Sequence, residues 1–125
     1  MFNTLLVGLG GFAGSILRFA VNTLAQKVWP HPFFPYGTLT VNIAGCLLIG
    51  LLGGLFETRQ MVPAELRLLL MVGLLGGFTT FSSFGYELFS LARNGQFIPA
   101  LIHAVLHLTL GFSAVWLGFI LSRAG

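Results

Sequence analysis

The sequence predicts an all-α membrane protein of four transmembrane helices with a break in the third, and three observations carry that reading. Of 125 residues, 56% are hydrophobic and only 7% are charged, where a soluble domain carries about a quarter. A water-soluble chain this short has a large surface for its core and needs polar groups to cover it. Four apolar stretches, about 4–25, 38–56, 66–92 and 98–121, also reach the length of about 20 residues that crosses a bilayer core. Finally, the separators hold helix breakers: Pro30, Pro32 and Pro35 in the first, Pro63 in the second, Asn94-Gly95 in the third.

The same composition excludes other classes. One cysteine, Cys46, and no aspartate rule out a disulfide framework and a multi-carboxylate metal centre, and three scattered histidines form no spaced ligand set. No enzyme is expected. Net charge is +3, but the basic residues stand singly along the chain instead of forming a stripe, so no nucleic-acid partner is expected. The start, MFNTLLVG, has no Lys or Arg before the apolar run and no small-residue cleavage site after it, so the first span is expected to remain in the protein.

The first span carries Gly10, Gly11 and Gly14. Helices in lipid associate by close backbone approach at small residues, and Gly10/Gly14, Gly50/Gly54 and Gly73/Gly77 all have the four-residue spacing of such contacts. Ser15, Arg18 and Asn22 follow on this span. Arg18 cannot shed its charge at cellular pH; it is either an anchor that reaches toward the interface or a fixed positive field beside a cavity. On the second span, Asn42 lies in Gly37-Thr38-Leu39-Thr40-Val41-Asn42. Its carboxamide can tie two helices together or give N–H groups to an anion, and on its own the tie is favoured.

The third span is interrupted by Leu74-Leu75-Gly76-Gly77-Phe78-Thr79-Thr80-Phe81-Ser82-Ser83-Phe84. Paired glycines and β-branched threonines weaken the helix, and hydroxyls can satisfy the backbone groups a break releases. A break is expected near 76–82. Irregular backbone at membrane depth persists only where it is buried in protein or lines water, and freed carbonyls suit a hard monovalent cation. Phe81 and Phe84, three apart, share a helix face, and their ring edges are electropositive. Glu87, one turn on, is either a polar outlet or an interfacial carboxylate. On the fourth span His103 and His107 share a face; two imidazoles alone make a poor metal site, so interhelical hydrogen bonding is expected.

Loop charge barely sets orientation. Arg59, Arg67 and Arg123 fall on one side of the four spans, Lys27 and Arg93 on the other. Such a near-tie permits both insertions, and with them an antiparallel dimer; a fixed orientation set by a weak bias is the alternative.

Three blocks, Gly10-Gly11-Phe12-Ala13-Gly14-Ser15-Ile16-Leu17-Arg18-Phe19, Gly37-Thr38-Leu39-Thr40-Val41-Asn42-Ile43-Ala44-Gly45 and Gly76-Gly77-Phe78-Thr79-Thr80-Phe81-Ser82-Ser83-Phe84, in order and at the family's spacing, resemble the CrcB/Fluc family of fluoride channels. The fourth span is similar only around Val115-Trp116-Leu117-Gly118. The resemblance implies a passive fluoride-selective channel in a bacterial inner membrane, a dual-topology antiparallel homodimer with two pores. It implies that Phe81 and Phe84 line the fluoride path with ring edges, that Asn42 gives its amide, and that Arg18 makes the vestibule electropositive. Backbone carbonyls of Gly76 and Thr79 would hold a central structural sodium ion, and Thr80, Ser83 and Glu87 would lie along a polar track. Where some family members have hydroxyls on the fourth span, this chain has His107 and Gly111, which leaves that helix's pore contact unassigned; His107 in place of a hydroxyl as hydrogen-bond donor is one reading of it. The rival is a small proton-coupled multidrug or cation transporter, which needs an intramembrane carboxylate; Glu87 is the sole candidate. A non-conducting assembly subunit is the third possibility, for which the glycine pairs would suffice.

Overall fold

A computed structural model describes residues 1–30, 34–59 and 62–124; Pro32, one of the breakers in the first separator, lies outside them. The described residues form helices α1 (Phe2–Val28), α2 (Tyr36–Thr58), α3 (residues 64–78), α4 (Phe81–Arg93) and α5 (Phe97–Arg123). Helices α3 and α4 together make the third membrane-crossing unit, Ala64–Arg93, so four units are long and apolar enough to cross a bilayer. At about 1.5 Å per residue, the 27 residues of α1 exceed a hydrocarbon core of about 30 Å.

Most large apolar side chains point outward. Phe2, Leu5, Leu9, Phe12, Ile16 and Phe19 recur at helical spacing along α1 and are each more than half exposed, a stripe that only lipid or another protein can cover favourably. The inward positions are small. A side chain at Gly10 or Gly14 on α1 would strike the backbone of α3 at Leu69 and Leu74, and one at Gly73 or Gly77 on α3 would strike α1 at Val7 and Gly11. Helices α2 and α5 meet the same way, Gly50 against the Val115 backbone and Gly118 against that of Leu47. The glycine spacing thus marks two seams, α1 on α3 and α2 on α5. Few apolar side chains are interior; Val41, Leu75, Phe78, Phe84 and Leu91 are among them.

The third unit departs from regular helix twice. Leu68–Leu75 winds as a π-helix. Thr79 (φ −88°, ψ 158°) and Thr80 (φ −152°, ψ 126°) are then extended, an interruption inside the 76–82 interval. Gly76 and Gly77, expected to weaken the helix, are helical; at Gly77 the missing side chain serves approach to α1 instead. The break falls on the two threonines because each has a hydroxyl to spend locally. Thr79 Oγ1 donates to the Leu75 carbonyl at 2.9 Å, and Thr80 Oγ1 caps α4 by accepting from the Ser83 N–H at 3.2 Å. At its other end α4 closes on Gly95 (φ +78°), with Gln96 N–H on the Leu91 carbonyl and Gly95 N–H on that of Ala92, the paired bonds of a glycine-terminated helix.

Candidate functional site

Three helices bring polar side chains to the interior in two layers, one turn apart. Asn42, Thr80 and His107 make the layer at the break. Asn42 Oδ1 accepts the Thr80 N–H at 3.0 Å, and Asn42 Nδ2 donates to the Thr80 carbonyl at 2.9 Å. The carboxamide thus completes the backbone pairing that the interruption denies Thr80. Its second N–H lies 3.1 Å from His107 Nε2, and His107 Nδ1 lies 3.2 Å from the His103 carbonyl.

The second layer is Thr38, Glu87 and His103. Thr38 Oγ1 donates to Glu87 Oε2 at 2.5 Å, and His103 Nε2 meets Glu87 Oε1 at 3.2 Å. His103 is wholly buried and its Nδ1 has no partner among the described residues. Both oxygens of Glu87 are thus engaged by other helices, while its side chain stays about a quarter exposed. Two spacings of four build the layers, Thr38/Asn42 on α2 and His103/His107 on α5, each pair on one helix face, while the third span contributes Thr80 and Glu87.

The phenylalanines flank these layers. Phe84 is buried and stacks on His107 with ring centres 4.0 Å apart; its other neighbours are His103 at 5.2 Å and Phe81 at 5.8 Å. Stacking occupies a face of Phe84. Phe81 is 82% exposed on the single chain and stands at the rim of an open hollow of about 370 Å³ bounded by α2, α3 and α5, whose walls include Gly45, Cys46, Gly76, Thr79 and Gly111.

Beside that hollow, at Gly76 and Thr79, the helix has lost two donors. In an uninterrupted helix Thr80 and Ser83 would give their N–H groups to the carbonyls of Gly76 and Thr79. Here those N–H groups go to Asn42 Oδ1 and Thr80 Oγ1. Two neutral, hard oxygen donors are released at membrane depth, a donor set suited to a monovalent cation.

Arg18 reaches a second cavity, about 270 Å³, lined also by Ser15, Asn22, Thr38, Thr80 and Ser83. It has no carboxylate partner among the described residues; their ion pairs are His103–Glu87 and, at the membrane end, Arg123–Glu57. An uncompensated guanidinium among hydroxyls and amides makes this cavity attractive to anions. Of the expected site residues, Asn42, Thr80, His107 and Phe84 meet directly, Glu87 joins them through His103, Ser83 and Arg18 share the second cavity with Thr80, and Phe81, Gly76 and Thr79 border the hollow. The sequence pairs His103 with His107 on one face and expects interhelical hydrogen bonds, and His103 meets Glu87 of α4; Thr38 has no role assigned by the residue pattern or the resemblance, although its spacing of four from Asn42 is a signal that could have found it.

Four apolar crossings, a glycine-packed frame and a polar seam through its middle define a multi-pass membrane protein. The family profile described as CrcB-like protein, Camphor Resistance (CrcB), matches residues 5–119, and the chain belongs to that family. Among its relatives is the protein named Fluoride-specific ion channel FluC of Pseudomonas fluorescens strain Pf0-1, 48% identical over 117 residues that cover 94% of each chain. The protein of that name from Pseudomonas syringae pv. tomato DC3000 is 46% identical over 98% of this chain and 99% of its own. The one from Methylobacillus flagellatus is 43% identical over 95% and 93%.

Proposed function

We propose that this protein is a passive fluoride-selective ion channel that lets fluoride leave the cytoplasm and so lowers its toxicity. The observation that carries the reading is likeness along nearly the whole chain to relatives that bear the name of a fluoride-specific ion channel. The geometry supports it: a positive cavity at Arg18 leads to the hydroxyls of Thr80 and Ser83, and these adjoin the Asn42 amide and the Phe84 ring. Fluoride enters cells as neutral HF, dissociates and is trapped. A leak for the anion under a negative-inside potential then needs no energy source. Stripping fluoride of water is repaid by close donors and positive ring rims in a narrow dry path. Phe84, with one face against His107, turns its rim to such an ion, with Phe81, Asn42, Thr80 and Ser83 alongside and Glu87 farther along the track.

The working unit in this reading is an antiparallel, dual-topology homodimer in the inner membrane. The open hollow at the break is where the second copy sits, covering Phe81, and the Gly76 and Thr79 carbonyls of both copies hold one structural sodium ion. The released carbonyls favour this assignment, because two neutral oxygens from each subunit make an oxygen-only site without a carboxylate to repel the anion. The proton-coupled transporter is less well supported, since Glu87 is already held by Thr38 and His103.

Fluoride efflux from proteoliposomes, read with an ion-selective electrode and with chloride as control, tests the reading. Fluoride and not chloride is released, and Phe81→Ile, Phe84→Ile and Asn42→Asp each depress the rate. Equal rates in wild type and all three variants reject the pore assignment.

A further inference from the structure

The layer at the break determines more than which residues touch. Thr80 opens α4 with an N–H that no helical carbonyl receives, and it donates to Asn42 Oδ1. That contact orients the carboxamide: with Oδ1 on the Thr80 N–H, the NH2 group faces the Thr80 carbonyl and His107 Nε2. An amide NH2 has donors and no acceptor, so Nε2 must offer a lone pair. The imidazole proton then sits on Nδ1, 3.2 Å from the His103 carbonyl one turn back. One tautomer satisfies every group, the assignment following from the network as it does wherever hydrogens are inferred. The opposite tautomer would set Nε2–H against NH2 and leave Nδ1 facing a carbonyl, two repulsive contacts in place of two bonds.

We propose that His107 is a positioning residue for Asn42. As the neutral Nδ1–H tautomer it holds the Asn42 carboxamide across the helix break, and in the absence of an ion it occupies the N–H that a passing fluoride takes. The second half rests on the channel reading above. A buried N–H left without an acceptor is costly, so the imidazole lone pair keeps the donor satisfied between ions and yields it to a stronger acceptor. Stacking of Phe84 on the His107 ring holds the imidazole plane in place for that exchange. The other groups around His107 serve the same geometry: His103 supplies the carbonyl, and its own ring is tied to Glu87.

The test combines a spectrum with a rescue. In 15N-histidine-labelled protein in bilayers at neutral pH, the His107 signal, assigned by its disappearance in His107→Gln, shows Nδ1 protonated and Nε2 bare. Glutamine can place an oxygen toward Asn42 and an NH2 toward the His103 carbonyl, whereas alanine can do neither. His107→Ala therefore lowers fluoride efflux on the order of tenfold, the size of one buried hydrogen bond lost, while His107→Gln stays close to wild type. In an Asn42→Ala background, His107→Ala adds no further loss. A proton on Nε2, a glutamine variant as poor as the alanine one, or losses that multiply in the double variant each overturn the proposal. If the wild type passes no fluoride, the channel reading fails separately, and the spectrum alone decides whether His107 positions the amide.

Discussion

Replacing Gly77 by alanine probes the seam that carries the helix break. The added methyl would lie 2.6 Å from the Gly11 carbonyl oxygen and 2.9 Å from its Cα, backbone atoms that no rotamer change can move. An ordinary contact begins near 3.4 Å, so α1 must retreat by roughly 0.8 Å, the difference between the two oxygen distances. A gap of that size forfeits about a quarter to a half of each dispersion contact along the seam, each worth about 0.1–0.2 kcal/mol. Gly10, Gly14 and Gly73 lie on the same seam, so tens of atom pairs are affected, and the loss comes to about 1–3 kcal/mol, the usual cost of overpacking. Gly8, on the same helix as Gly11, would have nothing within 4 Å of an added methyl, and alanine there is neutral or slightly stabilising through its better helix propensity. Thermal or SDS denaturation midpoints in detergent, measured for Gly77→Ala and Gly8→Ala beside wild type, decide between them. Equal midpoints for the two variants would refute the claim that backbone approach at this seam holds the third span in place.

Arg18→Gln removes the one cation of the second cavity and lowers fluoride efflux, most strongly at low ionic strength, because screening already weakens the field at high salt; flux measured across a salt series reads this as a flatter dependence. Glu87→Gln keeps an acceptor for His103 Nε2–H and changes efflux by no more than about threefold, roughly 0.7 kcal/mol, whereas a proton-coupled carrier would lose all transport in the same assay. Exhaustive replacement of sodium by N-methylglucamine on both sides of the liposome membrane lowers fluoride flux and the denaturation midpoint together, and returning sodium restores both. Phe56, whose carbonyl accepts from Arg67 at 3.1 Å, lies at the membrane end far from the polar seam, so Arg67→Gln leaves flux unchanged within the error of the electrode assay.

Most of the two layers is legible in the sequence. Asn42, Thr80, Glu87, His103 and His107 are polar residues within the spans, which is why they stand out, as Phe84 does beside them. Thr38 does not, since a threonine near a span end has an ordinary explanation. Only when α2, α4 and α5 are side by side does Thr38 meet Glu87 at 2.5 Å and His103 disappear entirely from the surface. Glu87 finds its partners in the same way: distance from Arg93 along the chain does not reveal that its two oxygens meet two other helices.

Amino-acid order alone determined that the chain holds four apolar segments long enough to cross a bilayer, that small residues form the helix contacts, and that the third segment is interrupted somewhere within 76–82. These follow from transfer free energies, side-chain volume and local backbone preference, which depend on neighbours in sequence. The tertiary structure decided at which residues the interruption falls, which carbonyls it releases and which groups face each nitrogen of His107. Those outcomes depend on where the donors on one helix find acceptors on another, as when the Thr80 N–H turns from Gly76 to Asn42, and no spacing along a single chain encodes that choice.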